Sequence, residues 1–204
     1  MRSGEEGARR ARRQVRHYVV SNRCDRMLTL TYRGSGNHDR DLLVDHLHDF
    51  WRTLRGEVGG SFPYLWVPEL HPGGHGWHAH AALGAFVPIR TVRACWPHGD
   101  RIDLARKGRV GLSDAAVVER ARIAARYIGK YLGKGFEESA RALGRHRYEC
   151  AQGFQPEVER FEAATRDELV GRLDARMGAH PLLRSWFSLP GDERQSFWLS
   201  WAVA

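Results

Sequence analysis

Residues 127–134 read Tyr-Ile-Gly-Lys-Tyr-Leu-Gly-Lys, two consecutive copies of Tyr-x-x-Lys. The chain has three lysines, Lys107, Lys130 and Lys134, against 29 arginines, and two of the three fall in this repeat. On a helix, at roughly 100° per residue, Tyr127, Lys130, Tyr131 and Lys134 share about one 100° sector. Ile128 and Leu132 point to a different sector beside Ala121 and Ala125, so the phenols and ammonium groups are expected on a face turned away from the core. A phenol ionises near pH ~10 and is a weak nucleophile alone; an adjacent ammonium favours the phenolate and can stabilise charge on a phosphate. Attack on a phosphodiester leaves a phosphotyrosine ester of similar energy, which a free hydroxyl end can reverse. Tyrosines four apart on a helix also suit packing on a sheet, and this segment alone leaves both readings open.

A second set of chemistry-bearing residues lies upstream, in His78-Ala-His80. On a strand, side chains two apart share a face, which places both imidazoles together and Trp77, Ala79 and Ala81 on the other side. Glu69 is nine residues earlier, close enough across a tight loop to point into the same place. Two histidines and a carboxylate with open positions suit Mg²⁺ or Mn²⁺ bound together with a phosphate oxygen, and suit Zn²⁺ less well. His71 and His75 lie in the intervening loop and compete as ligands.

These groups must be held by elements that the sequence also outlines. Met27 to Tyr32 alternates as a strand, with Leu28 and Leu30 facing one way and Thr29 and Thr31 the other. After Gly34-Ser-Gly-Asn, a helix is predicted over about 38–55, with Leu43, Leu47, Phe50, Trp51 and Leu54 as its buried stripe. Tyr64–Leu70 and Trp77–Leu83 read as an antiparallel hairpin around His71-Pro-Gly-Gly-His-Gly. A short helix over Pro88–Trp96 and a strand over Arg101–Arg106 follow. Ser113 is placed to cap a helix that runs to about Lys134, with Gly135 as its stop. Gly129 and Gly133 lie inside it, each disfavoured by about 1 kcal/mol against alanine, and small residues there would let DNA or a strand come close. Arg147–Ala151 reads as a strand, Thr165–Met177 as a helix capped by Thr165, and the tail carries Trp186, Phe187, Trp198 and Trp201. Strands and helices mix without regular βαβ alternation, so the predicted class is α+β with an antiparallel sheet.

The formal charge of +8 points to a polyanionic partner, nucleic acid first. Arg2, Arg9, Arg10, Arg12, Arg13 and Arg16 sit in a stretch with almost no large apolar side chains, which reads as a flexible basic arm over residues 1–23. No apolar run approaches the ~18 residues of a membrane span, and no apolar stretch follows the first arginines as in a secretory signal, so a cytoplasmic protein without membrane partners is expected. Cys24, Cys95 and Cys150 form no CxxC pattern and read as reduced cysteines.

The order of these pieces, Leu28-Thr-Leu-Thr31, then Glu69 with His78-Ala-His80, then Tyr127-x-x-Lys-Tyr131-x-x-Lys, resembles the HUH endonucleases. Within them it resembles the rolling-circle replication initiators (Rep proteins) of actinobacterial plasmids and of filamentous and isometric phages. The resemblance covers roughly residues 24–160, leaving 161–204 as a helical and aromatic extension that matches no motif. It implies a five-stranded antiparallel sheet flanked by helices, akin to RNA-recognition modules. It makes His78, His80 and Glu69 the ligands of Mn²⁺ or Mg²⁺, Tyr131 the nucleophile, Tyr127 a second one, and Lys130 and Lys134 aids to the phosphate chemistry. The implied activity is nicking and joining of single-stranded or hairpin origin DNA through a 5′-phosphotyrosine, with a host polymerase and helicase as partners. Alanine between the histidines departs from the bulkier residue usual there. The competing readings are a transposase with the same chemistry and a non-catalytic nucleic-acid-binding module, though the first strand offers threonines where that module needs stacking rings.

Overall fold

The computed structural model describes residues 2–99, 101–106, 114–132, 146–178, 183–188 and 195–200. The chain divides into two compact units, Met1–Pro156 and Glu157–Ala204. In the first, the elements run α1 (Arg2–Ser21), β1 (Arg26–Leu30), α2 (Arg40–Glu57), β2 (Tyr64–Leu70), β3 (Trp77–Leu83), α3 (Ile89–Cys95), β4 (Ile102–Arg106), α4 (Asp114–Gly129) and β5 (Glu149–Cys150). The five strands form one antiparallel sheet in the order β4-β1-β3-β2-β5, so the fold is α+β, as the mixed patterning predicts. β1 through β4 with α2 and α3 trace the split βαβ arrangement, in which β3 lies between the strands that precede and follow α2.

Each face of the sheet carries its own core because the strands alternate. On one face Leu28, Leu30, Trp66, Trp77, Ala79 and Ala81 meet the α2 stripe Leu43, Leu47, Phe50, Trp51 and Leu54, together with Val92 and Trp96. Asp39 starts α2 by accepting from the N–H groups of Asp41 and Leu42, which would otherwise lack partners. On the other face Met27, Leu65, Val67 and Ala82 meet Ala124, Ala125, Ile128 and Leu132 from α4 and its following turn, and Ala11, Val15, Tyr18 and Val19 from α1.

The N-terminal segment is therefore a folded helix and not the flexible arm predicted above. Ala8, Ala11, Val15, Tyr18 and Val19, spaced i, i+3, i+7, i+10 and i+11, are all buried. Two of the five are alanines, whose small apolar surface is hidden in a sequence crowded with arginine. The tyrosine helix is shorter than predicted. It ends at Gly129, and Lys130, Tyr131 and Leu132 form a turn held by Lys130 N–H to Tyr127 O at 3.2 Å and Tyr131 N–H to Ile128 O at 3.1 Å. Ser113, Lys134 and Gly135 lie outside the described residues. Nothing approaches within 4 Å of the place a Cβ would take on Gly129, so no strand packs against it.

In the second unit, α5 (Arg166–Met177) begins at Thr165, whose hydroxyl accepts from the Glu168 N–H at 3.2 Å, and ends at Gly178 in the left-handed conformation. β6 (Leu183–Ser188) and β7 (Gln195–Ser200) pair antiparallel and carry Trp186, Phe187 and Trp198.

The β2–β3 connection is locked by a backbone contact rather than by side chains. Gly76 has φ +73°, and a Cβ there would overlap the Asn37 carbonyl; one on Gly36 would overlap the His75 carbonyl. Asn37 is buried, and its carbonyl accepts from Trp77 N–H at 2.5 Å. Gly76→Ala is expected to cost about 2 kcal/mol, which lowers the melting temperature by roughly 4–8 °C in a unit of this size. A thermal melt with no shift would show that the two loops are not in contact.

Candidate active site

The sheet register brings the metal-ligand candidates together. β3 pairs with β2 so that Glu69 lies directly opposite His78, and with β1 so that Thr29 lies directly opposite His80. All four side chains project from the face that α4 covers, while Trp77, Ala79 and Ala81 fill the opposite core. The alanine between the histidines is fully buried there.

Glu69 Oε2 is 3.0 Å from His78 Nε2 and 2.9 Å from His80 Nε2, and the two Nε2 atoms are 3.1 Å apart. Each of the three residues is at most 7% exposed. Ligand atoms at adjacent corners of an octahedron of radius ~2.1 Å are roughly 3 Å apart, so one carboxylate oxygen and two imidazole nitrogens at these distances fit one face of a divalent-cation site. The same spacing serves hydrogen bonds when a proton is shared among the three, and a cation replaces that proton on binding. Burial pushes the Glu69 carboxyl up, but hydrogen bonds to His78 and His80 and the electrostatic pull of both rings together outweigh it and hold it at about 2. Glu69 is thus an anion at any physiological pH. Among the described residues this is the cluster of three His, Cys, Asp or Glu side chains able to hold a metal. His71 and His75 stay exposed in the hairpin turn, with the His71 ring 5.4 Å from that of His78, and neither joins the set.

Thr29 supplies what the sequence reading did not assign. Its Oγ1 lies 3.1 Å from His80 Nδ1. For His80 Nε2 to keep a lone pair toward Glu69 and His78, Nδ1 must carry the proton and donate to Thr29, a tautomer assigned from the hydrogen-bond network. The signal for it was the alternation Leu-Thr-Leu-Thr, which put Thr29 on the polar side of β1.

Tyr127 and Tyr131 reach the same place from α4 and its end. The Tyr131 ring stacks on His80 at 3.8 Å between centroids and 11° between planes. Tyr127 meets His80 edge-on at 6.5 Å and Tyr131 at 5.5 Å. The tyrosines therefore do not face away from the sheet; both are half-buried and pack beside Ile128 and Leu132 on its core. Burial, then the hydrogen bond and charge of Tyr127 and the charge of Glu69, push the Tyr131 phenol above its ordinary range. Lys130 is exposed, with Nζ 5.4 Å from the centre of the Tyr127 ring. Lys134 lies outside the described residues. Arg122 and Arg126, expected on the DNA side, both pair with Glu119, at 3.3 and 3.6 Å.

The helix that presents the tyrosines is pinned by a buried ion pair. Arg120 Nε donates to Asp25 Oδ2 at 2.8 Å, with both side chains under a tenth exposed. This ties the middle of α4 to the residue that opens β1.

Residues 25–136, more than half of the chain, match the family model of the replication-associated proteins of the ORF2 and gene-two-protein type. The chain belongs to this family. Membership among these replication-associated proteins ties it to DNA replication and to DNA as a partner, and the matched span contains every described residue of the site. Comparison with curated proteins and with solved structures returns no match. No described helix of this replication-associated protein is long and apolar enough to cross a membrane.

Thr29→Val keeps the shape of the side chain but removes the acceptor for His80. Mn²⁺ affinity measured by calorimetry is expected to fall about 10–100-fold, and Thr29→Ser is expected to hold it near wild type. Equal affinity for the valine variant would show that Thr29 does not set the tautomer.

Proposed function

We propose that this chain is a metal-dependent, site-specific nickase and strand transferase of the HUH type that starts rolling-circle replication at a single-stranded or hairpin origin. The observation that carries it is the stacking of Tyr131 on His80, which puts a candidate nucleophile against the candidate metal set. Glu69, His78 and His80 would hold Mn²⁺ or Mg²⁺, and that cation would withdraw charge from the scissile phosphate. The Tyr131 oxygen adds to phosphorus in line with the 3′-oxygen, the P–O3′ bond breaks, and the phenolic proton ends on the departing oxygen. The products are a 5′-phosphotyrosyl strand and a 3′-hydroxyl that a host polymerase can extend, with a host helicase opening the duplex. Because Tyr131 sits buried beside anionic Glu69, its phenol stays protonated until positive charge enters the site. Tyr127, edge-on to Tyr131 and beside Lys130, is placed to act in a second transfer that rejoins the ends. Lys130 and Lys134 are assigned to the phosphate.

The test is cleavage of a labelled origin single strand in Mn²⁺, with the covalent adduct resolved on a denaturing gel. Tyr131→Phe is expected to abolish the adduct; Tyr127→Phe should retain the first cleavage and lose joining. Glu69→Gln or chelation is expected to slow cleavage at least about 100-fold. Adduct from the double tyrosine variant would overturn the nucleophile assignment. Cleavage unaffected by chelation would separately overturn the metal assignment.

A further inference from the structure

The finding that the N-terminal segment is a packed helix changes what its arginines can do. Between Gly7 and Ser21 the helix has no acidic residue, and Arg9, Arg10, Arg12, Arg13, Arg16 and His17 are all exposed. Arg9, Arg12, Arg13 and Arg16 follow i, i+3, i+4 and i+7, so they form one stripe beside the buried stripe. A merely solvated helix face interleaves both signs to gain i, i+4 pairs, and this one does not.

The stripe does not stand alone. The Arg147 guanidinium, from the segment just before β5, packs against α1 beside Gly7. Burial and the charge of Arg12 both lower the Arg147 pKa, so the two cations are held side by side. Arg147 NH1 also reaches the Leu132 carbonyl, at 3.5 Å, in the residue that follows Tyr131. Tyr148 OH donates to Gln14 at 2.9 Å and Tyr18 OH to Ala151 at 3.1 Å, which fixes α1 along the same strand. Positive charge is thereby laid on a rigid path that ends at the tyrosine turn.

We propose that the exposed stripe of α1, continued by Arg147, is a phosphate track that binds single-stranded DNA flanking the bond to be cut. Guanidinium groups spaced along a fixed helix bind phosphates without reading bases, so the track contributes affinity and leaves origin choice to other contacts. The proposal rests on the nicking reading only for the identity of its partner.

The test uses the full chain carrying Tyr131→Phe, so that binding is read without chemistry, and a fluorescent single strand followed by anisotropy over a salt series. Replacing Arg9, Arg12, Arg13 and Arg16 together by Gln is expected to reduce the salt slope by about 0.7 for each arginine that holds a phosphate, to a total of about 2–3. The Lys version of the same four is expected to keep the wild-type slope. Extending a short strand on one side of the cleavage point should strengthen wild-type binding, and the Gln variant should lose that gain. Far-ultraviolet circular dichroism checks that α1 persists; should it melt, Arg12→Gln and Arg16→Gln alone are each expected to lower the slope by about 0.7. A slope unchanged on single strands, or a change confined to duplex DNA, overturns the track. An unchanged slope leaves the nicking reading intact, and a failure of wild-type protein to form an adduct leaves the binding test intact, so the two can fail separately.

Discussion

The pairing register of β3 with its two neighbours is the constraint on which the rest of this molecule depends. Side chains on a strand alternate, so a slip of one residue on β2 would carry Glu69 into the tryptophan-lined core and leave the imidazoles without their carboxylate. A slip on β1 would likewise replace Thr29 by a leucine opposite His80. The register is specified twice. The two faces demand different residues, large aromatics against α2 and small aliphatics against α1 and α4, and the Gly36–Gly76 contact fixes where the hairpin turns.

That division explains why polar groups can be buried beside an apolar core without unfolding it. Three ligand atoms within about 3 Å of one another satisfy each other through shared protons, and Thr29 takes up a further ring nitrogen. Buried and fully partnered, the cluster costs little; with one member lost, the other two would face each other unpaired. The buried Arg120–Asp25 pair follows the same logic at the other side of β1, where it sets the position of α4 rather than any chemistry.

Much of this was legible in the residues. β2 and β3 were bounded correctly because turn chemistry flanks them, and the α2 stripe was read residue for residue because its members are large. The grouping of Glu69 with His78 and His80 followed from period-two alternation and a short loop. Other features were not legible for physical reasons. α1 was hidden because alanine contributes little hydrophobic signal among arginines, although its spacing is helical. The end of α4 was misplaced because Gly129 can either continue a helix or close it, and tertiary packing decides. Thr29 to His80 and Asp25 to Arg120 join residues 51 and 95 apart, and local pattern carries no information on such contacts.

The early end of α4 also bears on how the tyrosines differ. Tyr127 belongs to the helix proper, where the Ala124, Ala125 and Ile128 packing and the Arg120 ion pair fix its backbone. Tyr131 lies beyond the last helical residue, and its position is set by one turn hydrogen bond, by Leu132 in the core and by the face of His80. A ring stacked on a metal-ligand candidate is thus coupled to whatever occupies the site: a cation that draws on the His80 nitrogen shifts the ring beneath Tyr131, whereas Tyr127 meets that ring only by its edge. The two phenols are alike in sequence context and unequal in mechanical support. That inequality, more than the repeat itself, is the physical reason to assign the first attack to Tyr131 and the later one to Tyr127.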